Sequence, residues 1–181
     1  MLFRSYVAAD RFAEIVDHAH RLELRKLRDA FPDVQFTKLL SMCVIHDLGE
    51  AISGDVPAPE QARRRAQDPS ASKSAAERED LLTLLAPLPY PTRVEITALW
   101  DEYEAGQSAT ARVAKALDKL ETILQHTQGE NPANFDYRFN LGYGRAFTVG
   151  QPVIVRLREM LDAETTRLAA ERTSLAPTSP G

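Results

Sequence analysis

Stretches with apolar residues at three- and four-residue steps recur along the chain, separated by short polar stretches rich in Pro, Gly and Ser. This spacing is typical of amphipathic α-helices, and no stretch shows the two-residue alternation of a half-buried strand. The first predicted helix begins near Ala13 or Glu14 and ends at Phe31, before Pro32. The pattern therefore predicts an all-α protein.

A second helix is predicted over residues 34–52, with Asp33 as its N-cap and Gly54 as its stop. Its apolar residues recur at helical steps, which predicts that one face is buried. The residues predicted to form this face are Phe36, Leu39, Leu40, Cys43 and Val44. His46 and Asp47 thus lie near the end of a predicted core helix.

Capping residues set the bounds of the next helices. One is predicted over residues 75–85, before a cluster of three prolines, and a capping-box pattern of Thr92 and Glu95 starts the following one. Gly106 ends that helix, and Ser108 caps the next. The residues predicted to face the core are Ile96, Leu99, Trp100 and Tyr103, then Val113, Leu117, Leu120, Ile123 and Leu124, and in the last helix Val153, Leu157, Met160, Leu161 and Leu168.

Three segments are predicted to lie outside the main helices. Residues 60–74 are predicted to be a solvated loop or lid, although the arginines at 63–65 offer an alternative role in attracting a phosphate. Residues 129–150, which are rich in Gly, Asn and aromatic residues, are predicted to form a long ordered connection. Pro152 then fits the first turn of the last helix. Residues 173–181 are predicted to be a disordered tail.

Composition narrows the class of protein. A chain of 181 residues suits one domain, predicted over 1–172. The net charge of −4, with neither sign collected into a block, argues against a nucleic-acid polymer as partner. No apolar run reaches the ~20 residues of a membrane span, so no membrane partner is expected. The single cysteine, Cys43, is predicted to be plain core and fits a cytoplasmic location.

Four ionisable residues lie in predicted helices where burial of a charge is costly. His18 belongs to the first helix, His46 and Asp47 end the second, and Asp118 interrupts the apolar stripe of a later one. Two imidazoles and two carboxylates from three helices can surround one divalent ion and leave positions for water and substrate. His20 points about 200° away from His18 around a helix, so the two cannot share that ion.

The donor types limit the choice of ion. Mixed nitrogen and oxygen ligation suits Mn²⁺, Co²⁺, Fe²⁺, Ni²⁺ or Zn²⁺, whereas Mg²⁺ usually takes fewer imidazoles. No thiolate is offered. The sequence therefore predicts a divalent metal cofactor without identifying the element.

The order of these residues resembles the HD-domain metal-dependent phosphohydrolases, whose pattern is His, then His-Asp, then a distant Asp. Within that superfamily, residues 43–55, 99–104 and 114–121 are similar to motifs of the 5′-deoxynucleotidase branch. The resemblance extends over about residues 16–168. It implies an HD-domain helical bundle, a homodimer, and hydrolysis of deoxyribonucleoside 5′-monophosphates to nucleoside and phosphate.

The resemblance also implies roles for individual residues. It implies metal ligation by His18, His46, Asp47 and Asp118, and it places Glu50 and Asp55 near the substrate and the attacking water. Glu50 lies one helical turn beyond His46 and Asp47, so it can face the same cavity and transfer a proton. Which carboxylate is the acid and which the base stays open.

Only seventeen residues precede His18, while the family usually has a longer N-terminal segment with a basic residue that contacts the phosphate. That contact is either missing, replaced by Arg4 or Arg11, or supplied by the arginines at 63–65. Alternative functions are phosphodiester cleavage, oxidation at a di-iron centre with further ligands such as His20 and His126, or a helical scaffold that binds metal without turnover. His126 is also a candidate for lining the substrate pocket, as are Asn140 and Tyr143.

Overall fold

The computed structural model describes residues 28–54, 56, 60, 63 and 73–175, and these residues form helices and turns without a strand. We number the helices in chain order. They are α1 (Phe36–Ile45), α2 (Glu50–Ser53), α3 (Lys73–Leu85), α4 (Tyr90–Ala105), α5 (Ala109–Gln128), α6 (Phe139–Gly142) and α7 (Pro152–Leu175). The described part of the chain thus confirms the predicted all-α class.

Helix α5 lies at the centre and packs against α1, α4 and α7. Ser108 caps it as predicted, because its Oγ accepts a hydrogen bond of 3.0 Å from the N–H of Ala111. Small buried side chains on α5, including Ala111 and Ala114, let the neighbouring helices approach closely. A second cluster, Ile45, Leu81, Leu85 and Trp100, joins α3 to α1 and α4. Burial of each large apolar side chain contributes about 1.5–3 kcal/mol.

The predicted connection between α5 and α7 is ordered around one buried arginine. Arg158 of α7, which is 4% exposed, donates hydrogen bonds to the carbonyls of Asn140, Leu141 and Tyr143 at 2.6–2.9 Å. Asp162 accepts from its Nε at 2.7 Å. The terminal nitrogens of Arg158 therefore satisfy three carbonyl oxygens at and after α6, while its Nε pairs with a carboxylate of its own helix.

Several predicted helix bounds are wrong. The helix predicted over 34–52 is two helices. The N-cap of the first is Gln35, where Asp33 was expected. Gly54 does end α2, with a φ of 81°. Helix α4 starts at Tyr90, before the predicted capping box, because a proline at the second helical position needs no N–H partner. Gly106 ends α4 as predicted, with a φ of 61°.

Other differences concern the polar segments. Lys73 and Ser74 belong to α3, two residues before its predicted start. Glu60 and Arg63 are helical and form an ion pair of 3.2 Å, while the rest of 60–74 before Lys73 lies outside the described residues. Helix α7 continues to Leu175, so the predicted tail begins too early; residues 176–181 are outside the described part.

The predicted buried faces are partly wrong. On α1, Leu40 and Val44 are 48% and 53% exposed, and Met42 and Ile45 are buried in their place. On α7, Leu157 and Met160 are 40% and 57% exposed. Leu124 of α5 is also exposed. The helical period was predicted correctly, but the side of each helix that faces its neighbours depends on packing.

Candidate metal centre

His46 and Asp47 lie in a turn, residues 46–49, between α1 and α2. Backbone bonds from Leu48 to Ile45, and from Glu50 to Asp47, both 3.0 Å, span three residues where an α-helix would span four. The backbone is therefore wound more tightly at His46 and Asp47 than in an α-helix, and it returns to α-helical winding in α2. This tightened turn is the physical reason why the continuous helix predicted over 34–52 is wrong.

Hydrogen bonds orient the His46 ring. Its Nδ1 lies 2.9 Å from the carbonyl oxygen of Cys43, and a carbonyl can only accept, so Nδ1 carries a proton and donates it. The indole N–H of Trp100 donates to the carbonyl of His46 at 3.1 Å, which also satisfies the end of α1. The Nε2 atom is consequently the ring nitrogen that can bind a metal.

Both predicted carboxylate ligands approach this Nε2. Asp47 Oδ2 lies 3.1 Å and Asp118 Oδ1 lies 3.9 Å from it, although Asp118 comes from α5, a distant part of the chain. Asp47 is 65% exposed, whereas His46 and Asp118 are 16% and 19% exposed. The centre thus has a buried wall and an open side at Asp47.

The two carboxylates make the position around Nε2 favourable for positive charge. Burial alone would lower the pKa of His46, but the hydrogen bond and charge of Asp47, with the charge of Asp118, outweigh burial and raise this pKa to about 9. Burial, and then the charge of Asp118, raise the pKa of the Cys43 thiol to about 11. Cys43 is therefore a neutral, partly buried thiol beside the core, consistent with its predicted packing role.

The donors fit a divalent ion in type and in part in spacing. Ligand atoms about 2.0–2.2 Å from an ion lie about 3 Å from an adjacent ligand, which matches the His46–Asp47 separation. Asp118 is farther than that. No three or more histidine, cysteine, aspartate or glutamate side chains in the described part of the chain stand close enough to hold a metal unaided. His18, the fourth predicted ligand, lies outside the described residues.

Asp118 is held from behind by two side chains. The phenol of Tyr103 and the ammonium group of Lys119 each lie 2.8 Å from its Oδ2. Burial, and then Asp118, raise the pKa of Tyr103, so the phenol keeps its proton and donates it. Burial would lower the pKa of Lys119, but Asp118 and Tyr143 together outweigh burial and raise it. The costly half-buried carboxylate is thus compensated.

Tyr103 and Lys119 are the site residues that sequence reasoning missed. Tyr103 was predicted to be core, and it is 4% exposed, but its hydroxyl also pairs with Asp118. A buried tyrosine hydroxyl usually needs a partner, and this rule could have singled it out. Gly144, with a φ of 67°, lies on Lys119 so closely that a Cβ there would be 2.6 Å from Lys119 Cβ. The 129–150 connection therefore covers the back of the site.

Glu50 opens α2 directly after the turn of the ligands and is half-buried. Asp55 lies outside the described residues. His126 has its Nδ1 2.8 Å from Asn140 Oδ1 and its ring against Phe135, so it is tied to the 129–150 connection. The ring of Tyr143 lies 5.5 Å from the Lys119 ammonium. The roles of Glu50 and Asp55 stay predictions.

Gly49 lets the turn at residues 46–49 contact α3. A Cβ at this position would lie 2.5 Å from the Glu77 carbonyl oxygen, while the φ of −60° would suit any residue. We expect Gly49→Ala to lower the free energy of unfolding by about 1–3 kcal/mol, because steric overpacking typically costs this much. Urea unfolding measures the change.

The matched control for that prediction is Gly142→Ala in α6, where a Cβ would meet nothing within 4 Å. It should leave stability unchanged or raise it by up to about 1 kcal/mol, since alanine is the better helix former. Equal unfolding free energies for the Gly49→Ala variant and the parent would show that the turn does not need this close approach.

Comparison with known proteins identifies the family. Residues 4–154 match the model of the HD domain, so the chain belongs to that family. It is 30% identical over 151 residues to 5′-deoxynucleotidase HDDC2 of Bos taurus, covering 83% of this chain and 71% of that one. It is 29% identical over 167 residues to the Homo sapiens protein of the same name, covering 91% and 79%.

A solved structure gives the same assignment. A predicted metal-dependent phosphohydrolase from Magnetospirillum magnetotacticum MS-1 is 28% identical, with a TM-score of 0.57 over 80% of this chain and 70% of that chain. The resemblance read from the motifs is therefore confirmed, and so is the HD-domain fold. The protein is an HD-type metal-dependent phosphohydrolase of the 5′-deoxynucleotidase-like branch. Every helix in the described part of the chain is too short or too polar to span a lipid bilayer.

Proposed function

We propose that this enzyme hydrolyses deoxyribonucleoside 5′-monophosphates at one divalent-metal centre per chain. The proposed ligands are His18, His46, Asp47 and Asp118, and the proposed acid–base residues are Glu50 and Asp55. The observation that carries the metal centre is the approach of two carboxylates, from α5 and from the turn after α1, to Nε2 of His46, the ring nitrogen that does not donate to Cys43. The substrate class is supported by relatives named 5′-deoxynucleotidase that match most of the chain.

Each residue contributes in a way that its position suggests. A divalent ion held there supplies polarisation of a phosphoryl oxygen and activation of water. Asp47 presents its carboxylate on the open side, where a small substrate can enter, and His46 and Asp118 form the buried side. For Glu50, at the first position of α2, we propose proton exchange with water or with the leaving 5′ oxygen.

A panel of monophosphates tests the proposal. The purified protein is incubated with deoxyribonucleoside 5′-monophosphates, their ribonucleoside and 3′-phosphate counterparts, and a phosphodiester, each with Mn²⁺ or Co²⁺ and then with excess EDTA. We expect phosphate release from the deoxyribonucleoside 5′-monophosphates that stops on chelation. No release with any metal from folded protein would contradict the proposal, and preferred cleavage of the diester would favour the phosphodiesterase alternative.

Metal content separates the remaining alternatives. We expect one ion per chain by elemental analysis of the active protein, whereas a di-iron centre requires two iron ions. Retained metal with no turnover of any phosphate ester would favour the scaffold alternative.

The homodimer and the cytoplasmic location stay proposals. The free Cys43 is compatible with a reducing compartment, and light scattering after gel filtration measures the oligomeric state.

A further inference from the structure

The two carboxylate oxygens of Asp118 have different surroundings. Oδ2 accepts from the Tyr103 hydroxyl and lies beside the Lys119 ammonium, both at 2.8 Å. Oδ1 is directed to the other side, 3.9 Å from His46 Nε2. Because the oxygens of a carboxylate are chemically equivalent, its neighbours decide which one faces the centre.

Tyr103 is also in contact with the second ligand residue. Its ring centroid lies 5.1 Å from that of His46, with the two planes tilted by 50°. The Lys115 ammonium lies 4.2 Å from the centroid of the same tyrosine ring and pairs with Glu104 at 3.0 Å. Tyr103 therefore has little freedom to move, and it connects α4 to ligands on two other elements.

Trp100, one helical turn before Tyr103, reinforces this arrangement. Its indole N–H holds the backbone carbonyl of His46 at 3.1 Å, and the side chain is 2% exposed. One face of α4 thus holds the backbone of His46, contacts its ring and donates to Asp118. Ligands that come from separate elements need such a shared support to keep a constant separation.

We propose that Tyr103 is a positioning residue for the metal centre: it holds Oδ2 of Asp118 so that Oδ1 is presented toward His46 Nε2 as a single-oxygen ligand. This inference rests on the metal centre proposed above and extends it to a residue that does not itself bind the ion. Partners that orient ligands in this way typically contribute about 10- to 100-fold to metal affinity.

The phenol is suited to this role for a simple reason. Loss of its hydroxyl leaves the Lys119 contact in place but removes the donor that joins α4 to Asp118. With the phenol donor gone, the carboxylate rotates more freely about its last side-chain bond despite the Lys119 contact, and binding a metal has to restore the orientation. The free energy needed to restore this orientation weakens metal binding. Phenylalanine keeps the ring contact with His46, so the substitution tests the hydroxyl alone.

Titration of Mn²⁺ into metal-free protein, followed by calorimetry, tests the inference without any assay of activity. We expect Tyr103→Phe to bind Mn²⁺ about 10- to 100-fold more weakly than the parent. The matched control, Tyr90→Phe, removes the same hydroxyl from a tyrosine that is 70% exposed and should bind as the parent does. Parental affinity in Tyr103→Phe would overturn the inference.

A double-mutant cycle separates positioning from a general structural effect. In an Asp118→Asn background, Tyr103→Phe should weaken Mn²⁺ binding less than about twofold, because its target carboxylate is already gone. If Tyr103 has only a structural role, Tyr103→Phe will weaken Mn²⁺ binding equally in the parent and in the Asp118→Asn background. That result would overturn the inference, whether or not Tyr103→Phe lowers stability. If the parent itself binds no Mn²⁺, the proposed metal centre fails; if the parent binds and only the cycle fails, the metal centre stands without this role for Tyr103.

Discussion

Asp47→Ala is expected to lose more than about 100-fold in both Mn²⁺ affinity and kcat/KM for its best deoxyribonucleoside monophosphate, since loss of an outer partner alone typically costs about 10- to 100-fold. The side chain is 65% exposed and approaches His46 Nε2 at 3.1 Å, so its removal takes away the proposed ligand oxygen without opening a cavity. Thermal unfolding of the metal-free protein should therefore change little. Phosphate release and calorimetry measure the two losses.

The control for this substitution is Asp33→Ala, which removes the same carboxylate from an exposed position before α1. It should retain parental turnover and metal affinity. If Asp47→Ala hydrolyses its substrate as fast as the parent, the assignment of the centre to the His-Asp turn is wrong. A loss of turnover with unchanged Mn²⁺ affinity would instead move Asp47 from the metal to the substrate.

Glu50→Gln is expected to lower kcat by about 10²- to 10⁴-fold, the usual contribution of a general acid or base, while Mn²⁺ affinity stays within about twofold of the parent. The amide keeps the shape of the side chain but cannot exchange a proton. Because Glu50 occupies the first position of α2 and is half-buried, the isosteric change should leave the turn intact. Steady-state kinetics at saturating Mn²⁺ gives kcat and KM separately.

Glu79→Gln provides the comparison, as this glutamate is exposed on α3 and the substitution is chemically the same. Its kinetics should match those of the parent. Unchanged kcat in Glu50→Gln would remove Glu50 from the mechanism and leave Asp55 as the remaining acid–base candidate. A weakened Mn²⁺ affinity with unchanged kcat at saturating metal would make Glu50 a contributor to metal binding.

Three candidate site residues could be singled out from the sequence because each breaks a local rule. His46 and Asp47 end an apolar helical pattern and Asp118 interrupts another, which predicted costly burial; His46 and Asp118 are mostly buried, whereas Asp47 is 65% exposed. The structure brings all three side chains together, with His46 between the two carboxylates. The proposed ligation by Asp47 is tested by the substitution above, and that by His18, His46 and Asp118 stays a prediction.

The faces of the helices were less accessible. The spacing of Leu40 and Val44 is helical, yet both are about half exposed, and Met42 and Ile45 of the same helix are buried. A period of 3.6 residues establishes that a helix forms but leaves its rotation to the neighbouring elements. The same reason explains why Arg158 and Thr165 are buried on α7 where exposed Leu157 and Met160 were expected inside.

The tight turn at 46–49 was missed for a related reason. Nothing in the composition of the motif excludes a continuous helix, and Gly49 looks like an ordinary weak point in one. The turn also contacts a partner distant in sequence, since Gly49 lies against the Glu77 carbonyl so closely that a side chain would not fit. Only the packing of α3 reveals this.

By itself, the sequence determined the all-α class, the helical periods, the caps at Gly54, Gly106 and Ser108, and the family, because these depend on residues close together or on ordered motifs. Tertiary structure decided which helix faces are buried and where the ligand turn tightens. It also decided that Tyr103 of α4 meets Asp118 of α5 at 2.8 Å, beside His46. Such contacts join side chains from different helices, and their distances follow from how the helices cross, which no local pattern encodes.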